Sequence, residues 1–95
     1  MPDKIAPEQL AESLAKLGGW TKVESREAIH KSFKFKDFNQ AWTFMSRCAK
    51  LAEELNHHPE WTNVYNRVDV TLATHDAGGI TELDLKMAGK MNDYA

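Results

Sequence analysis

Residues 38–55 read FNQAWTFMSRCAKLAEEL, and this segment constrains the fold more than any other. Its apolar residues are Phe38, Ala41, Trp42, Phe44, Met45, Cys48, Ala49, Leu51, Ala52 and Leu55. At about 100° per residue these positions follow a helical period and cover roughly half the wheel. A helix resting on a single core needs an apolar stripe only a little wider than about 100°. The segment therefore needs two partners. One is a sheet of its own chain; the expected second is another copy of the molecule, across a strip formed by Phe44, Cys48, Leu51 and Leu55. Asp37 precedes the first apolar residue and is the expected N-cap.

The remaining segments arrange around this helix. Pro7 suits a first helical turn, where a missing N–H costs nothing, and Leu10, Ala11, Leu14 and Leu17 recur at helical spacing. Gly18-Gly19 ends that helix. Residues 20–23 form a short strand. From Ile29 the chain alternates: Ile29, Phe33 and Phe35 share one face, with Lys31 as a break in the pattern, and His30, Ser32 and Lys34 share the other. Pro59 ends the long helix. Residues 64–74, VYNRVDVTLAT, carry a tight turn at Asn66-Arg67 followed by a one-sided strand. Val68, Val70 and Leu72 face the core there. Arg67, Asp69, Thr71, Ala73 and His75 face away. Gly78-Gly79 breaks the chain, and Thr81 with Asp84 three residues later forms a capping pair for a last helix bearing Leu83, Met87 and Met91. The predicted fold is α+β, a single domain over residues 1–95. Its order is helix-β-β-helix-β-β-helix, giving a four-stranded antiparallel sheet with helices on one face.

Bulk properties narrow the function. Twelve Lys and Arg against fourteen Asp and Glu give a net charge of −2, with no basic block, which argues against a direct nucleic-acid partner. Cys48 is the one cysteine, so no intrachain disulfide can form and a reducing compartment is expected. Neither an apolar leader region nor a run of membrane-spanning length is visible. These features predict a cytoplasmic protein.

Chemistry concentrates in Asn56-His57-His58-Pro59-Glu60-Trp61, with His75 further along. One reading of the His-His pair is structural, since imidazolium interacts favourably with the carbonyl end of a helix. A metal site is disfavoured: there is no i, i+4 histidine pair and no cysteine pair. Cys–His hydrolysis is disfavoured too, because Cys48 falls within the apolar arc of its helix. General acid–base chemistry fits the residue types, since histidine titrates near neutral pH. Trp61 is placed either to stack on a planar ring or to anchor the core.

Glu53-x-x-x-His57-His58-Pro59, followed by Tyr65, His75 and Asp84 at these spacings, resembles the pterin-4a-carbinolamine dehydratase family. The similarity runs almost continuously over residues 33–80. It implies a lyase that removes water from 4a-hydroxytetrahydrobiopterin, giving quinonoid dihydrobiopterin in tetrahydrobiopterin recycling, with no metal and no cofactor. It also implies His57, His58 and His75 as the catalytic set, without deciding which is acid and which is base. By the same resemblance, Glu53 tunes an imidazole, Trp61 lines the pocket, Asn56 stands where many relatives carry Asp, and backbone at Ala73, Thr74 and His75 meets the polar edge of the pterin. Asp84 belongs to the family pattern and equally to the capping pair. The family further implies a homotetramer, a dimer of dimers built through helix 38–55. Its animal members also serve as a dimerization cofactor, a transcriptional coactivator, for a hepatocyte-type homeodomain factor. That second role predicts a possible transcription-factor partner and nuclear as well as cytoplasmic residence.

Overall fold

The computed structural model describes residues 3–95. Helix α1 spans Pro7–Lys16, strand β1 Thr21–Lys22, β2 Ile29–Lys34, helix α2 Phe38–Leu55, β3 Glu60–Val64, β4 Arg67–Leu72 and α3 Glu82–Tyr94. The four strands form one antiparallel sheet in the order β1-β2-β4-β3. Three helices and this sheet make the expected α+β domain, and its helix-strand order matches the one read from the sequence.

Local chemistry fixes the element ends. Pro7 starts α1. The Asp37 side chain accepts from the Gln40 N–H and caps α2. Thr81 and Asp84 complete a reciprocal capping box on α3.

The core lies between the sheet and the helices. Ile29 and Phe33 from β2 stand beside Leu72 and Val68 from β4 in the register, and all four are buried with Val70. Phe44, Cys48, Leu51 and Ala52 of α2 and Met87, Ala88 and Met91 of α3 close over them. Lys31 occupies the core-facing row between Ile29 and Phe33, opposite Val70. Its ammonium reaches the edge of the core, donating to the Gly18 carbonyl and to Asn92 Oδ1, each at 2.7 Å. It lies 4.7 Å from the Phe33 ring centroid. The break in the alternation is thus an amphipathic side chain whose stem is apolar and whose head is satisfied.

Four expectations change. The α2 strip assigned to a second copy is buried within the chain: Phe44, Cys48 and Leu51 pack on the sheet and α3, and Leu55 is half-buried. The large apolar residues exposed on α2 are instead Phe38 and Trp42, 46% and 57% exposed, with rings stacked at 6.5 Å. Two intrachain partners, β4 and α3, account for the shift. Second, α2 ends before Pro59, because Asn56 adopts the left-handed conformation (φ 50°, ψ 46°), which Asn tolerates better than most residues. Third, the tight turn is Tyr65-Asn66, with Tyr65 at φ 50°, and Arg67 already pairs with Val64. Fourth, β4 stops at Leu72, so His75 does not lie on its polar face. Leu72 pairs with Ile29, the first residue of β2, and beyond that β4 has no neighbour to continue the ladder.

Candidate functional site

The two ends meet where α2 stops and β4 stops. Past Asn56, the His57 N–H donates to the Ala52 carbonyl at 3.0 Å, folding the chain back over the helix terminus. Past β4, Thr74 pairs with Gly79 across a tight loop, with Thr74 N–H to Gly79 O at 2.7 Å. Residues His75–Ala77 form a single 3-10 turn inside that loop, closed by Gly78 at φ 73°. Glycine is needed there because a Cβ disfavours positive φ. Between the two ends lies a cleft of about 460 Å³ lined by Leu55, Asn56, His57, His58, Ala73, Thr74, His75, Asp76 and Leu83. That volume lies in the range of small-molecule sites.

Three imidazoles therefore share one cleft. His57 is buried, 8% exposed, and its Nε2 lies 2.6 Å from Oδ1 of the fully buried Asp84. An ionised carboxylate can only accept, so Nε2 carries the proton of this bond and Nδ1 is the nitrogen left for other partners. His58 is exposed, with Nε2 2.6 Å from Oε2 of Glu53, one helical turn back on α2. The same argument fixes its tautomer, more loosely because both groups are in water. His75 is exposed and makes no side-chain hydrogen bond among the described residues.

Asp84 serves in two capacities. Its Oδ2 accepts from Thr81 N–H at 2.9 Å, completing the cap of α3, and from Thr74 Oγ1 at 2.8 Å. Its Oδ1 holds His57. The capping acid read from the sequence is thus also the carboxylate that holds His57.

Two residues assigned to the site sit elsewhere. Trp61 lies on β3 opposite Val70 and packs against the core, outside the cleft lining. Strand pleating sends it to the helix-covered face. Glu53 also stands outside the lining and touches the cleft only through His58. Glu60, the acid of the same motif, pairs with no histidine. It accepts two hydrogen bonds from Arg26, at 2.8 and 2.7 Å. The Arg26 guanidinium holds its carboxyl below the usual range, chiefly by hydrogen bonding, and His75 adds a smaller attraction against the cost of burial.

Thr74 and Asp76 were not singled out for their side chains in the sequence, and Thr81 only as the cap of α3. The one local signal was the capping pair at Thr81 and Asp84. A second cleft of about 310 Å³ lies near the first turns of α2, lined by Phe35, Asp37, Gln40, Tyr94 and neighbours, and contains no imidazole. His57, His58 and His75 all line the other cleft.

The family model for pterin 4 alpha carbinolamine dehydratase matches residues 3–94. This chain belongs to that family. A Brucella ovis protein that carries pterin-4-alpha-carbinolamine dehydratase as a provisional name is 58% identical over 93 residues, covering 98% of this chain and 96% of its own. A Brucella canis protein with the same provisional name matches equally. The crystal structure of a transcriptional coactivator/pterin dehydratase from Brucella melitensis superposes with a TM-score of 0.96 at 58% identity, covering 98% of this chain and 99% of that one. A pterin dehydratase-like protein identified as a RuBisCO assembly factor in the alpha-carboxysome shares the fold, with a TM-score of 0.70 at 24% identity over 81% of this chain and 89% of that one. The pterin dehydratase fold thus serves a relative whose described role is assembly.

Proposed function

We propose that the chain dehydrates 4a-hydroxytetrahydrobiopterin to quinonoid dihydrobiopterin by histidine general acid–base catalysis. The carrying observation is a cleft walled by three imidazoles, two of them each held by its own carboxylate. The reaction breaks the bond between carbon 4a and its hydroxyl. One imidazole delivers a proton to the departing oxygen, another takes the proton from a ring nitrogen, and the electron pair of that N–H closes the new double bond. Each transfer is worth roughly 10²–10⁴-fold. His57, held in one tautomer, offers Nδ1. His58 offers the same atom in a wetter setting. His75 stands in the loop after β4 as the third group. Backbone in the Ala73-Thr74-His75 stretch would meet the polar edge of the pterin, through Ala73 and His75, since the Thr74 N–H and carbonyl are taken within the loop.

Turnover of chemically generated 4a-hydroxytetrahydrobiopterin, followed by absorbance, tests the reading. Acceleration well above the spontaneous dehydration is expected. A rate equal to the buffer's own would refute it. In this reading the protein recycles the product of aromatic amino acid hydroxylation in the cytoplasm.

A second reading, a coactivator that binds a transcription factor in the nucleus, is favoured by one observation. Phe38 and Trp42 form an exposed stacked pair on α2, a surface suited to another helix. The same pair suits assembly of the chain into a homotetramer through α2. Sedimentation equilibrium separates a self-associating α2 from one that stays free for a partner.

A further inference from the structure

The hydroxyl of Thr74 is bound away from the chemistry. Its Oγ1 donates to Asp84 Oδ2 at 2.8 Å and lies 2.8 Å from Thr81 Oγ1. Thr81 Oγ1 in turn accepts from the Leu83 N–H at 3.3 Å. Thr74, Thr81 and Asp84 are all buried.

Every proton in this chain has one allowed direction. An ionised carboxylate only accepts, so Thr74 must spend its single proton on Asp84. The proton between the two hydroxyls must then come from Thr81. Thr81 keeps its lone pair for Leu83 N–H at the α3 terminus. The sequence runs from the α3 amide through Thr81 and Thr74 to Asp84, and Asp84 Oδ1 receives His57 Nε2–H. With Asp84 ionised, neither hydroxyl can reverse without leaving its proton unpaired in a buried site, and each bond in such a chain polarises the next. Thr74 is also the residue whose backbone closes the loop carrying His75, through its N–H to Gly79 O.

We infer that Thr74 is a positioning residue: its hydroxyl orients Asp84 and, through it, sets the angle at which His57 is held, while its backbone seats the loop that presents His75. The inference rests on the dehydratase reading for its kinetic consequence and on geometry alone for its structural one. It assigns the Thr74 side chain to the histidine holder and its backbone to the loop.

Thr74→Val keeps the shape and the backbone bonds and deletes the hydroxyl. Two readouts are taken on the full chain. The first is the ¹⁵N and ¹H signature of the His57 ring. Wild type should show the Nε2–H form with a slowly exchanging proton; the valine variant should show the same Nε2–H form with a shifted resonance and a faster-exchanging proton. The second is dehydration kinetics. Since His57 itself is worth at most about 10²–10⁴-fold, a residue acting through it should cost about tenfold in kcat, with KM little changed. Thr74→Ser, which restores the hydroxyl, should recover both. An unchanged His57 signature in a folded Thr74→Val protein overturns the inference, as does a kcat within twofold of wild type. If Thr74→Val does not fold, wild type decides: the Thr74 hydroxyl proton must be protected from exchange, and free exchange with water overturns the chain. Were wild type itself inactive on the pterin, the dehydratase reading would fail while the His57 signature still judged the role of Thr74.

Discussion

Replacing Asp84 by Asn separates the stabilising work of this residue from its catalytic work. Asp84 accepts three hydrogen bonds, from His57 Nε2, Thr74 Oγ1 and the Thr81 N–H, at 2.6, 2.8 and 2.9 Å. Alanine would orphan all three donors in a buried site. At about 1–3 kcal/mol for each unsatisfied group, the loss is about 3–9 kcal/mol, comparable to the whole stability of about 5–15 kcal/mol expected of a small domain. Asparagine is different. Its carbonyl can keep Thr74 and Thr81, which share Oδ2, so its NH₂ must face His57. Nε2 then has to accept, and the ring proton moves to Nδ1, the atom needed to receive a proton from substrate. The stability cost is the difference between charged and neutral hydrogen bonds, about 1 kcal/mol each, offset by no longer burying a charge. A net loss of about 1–2 kcal/mol is expected, visible as a modest shift in a urea midpoint. The rate should fall by roughly 10²–10⁴-fold. Paired urea titration and pterin dehydration kinetics, with nitrogen NMR of the His57 ring, read both quantities. A folded Asp84→Asn protein turning over at the wild-type rate would show that the His57 tautomer is irrelevant to catalysis.

Other perturbations follow from the same geometry. His75→Ala should lower the dehydration rate at least tenfold while leaving the melting temperature nearly unchanged, because the side chain is exposed in its loop. His30→Ala on β2, outside the cleft lining, is the control whose rate should not move. Trp42→Glu should shift an α2-mediated oligomer toward smaller species in sedimentation equilibrium at little cost to the monomer fold; Leu51→Glu should unfold the chain, since Leu51 is core. A Trp42→Glu protein with the wild-type sedimentation profile removes Phe38 and Trp42 from the assembly surface. Burial pushes the Cys48 thiol from 9.0 up to about 12, with Arg47 opposing. Below about pH 9 both folded and unfolded thiols are protonated and the group is neutral to stability. Above it only the unfolded thiol ionises, so stability should fall between pH 9 and 12, by up to about 1.4 kcal/mol per pH unit. Cys48→Ala should remove this contribution to the slope, and native Cys48 should resist a disulfide reagent at pH 8 until urea unfolds the chain.

The elements that depend on local chemistry were legible in the sequence. Asp37 and the Thr81–Asp84 pair mark their helices because a cap is a contact within three residues, and Pro7 marks α1 because its fixed φ suits a first turn. The alternation of Ile29 and Phe33 marks β2, since a strand's faces are set by its own pleat. Nothing local could reveal that His57 would meet Asp84, 27 residues away, because that contact depends on the packing of α2, β4 and α3 together. The same holds for the buried side of α2: periodicity reported half a circumference of apolar residues but not which part α3 would cover. His75 was misplaced because alternation of residue types can outlast the hydrogen-bonded ladder; β4 loses its neighbours at Leu72 while the pattern runs on.

Lys31 carries a consequence for how the sheet finds its alignment. The residues of β2 that face the helices, followed through to Phe35, read Ile, Lys, Phe, Phe at every second position. Shifting the strand by two residues would keep each side chain on its face, so a wholly aliphatic row could tolerate two neighbouring alignments of similar energy. A single ammonium removes that degeneracy. Only one alignment sets it beside the Gly18 carbonyl and Asn92. A shifted strand would drive the charge into the position now filled by Ile29 or Phe33, where no acceptor waits. The lysine therefore works as a key for the β2–β4 ladder. Since the loop that bears His75 leaves from the end of that ladder, a charge near the rim of the core also sets where the cleft begins.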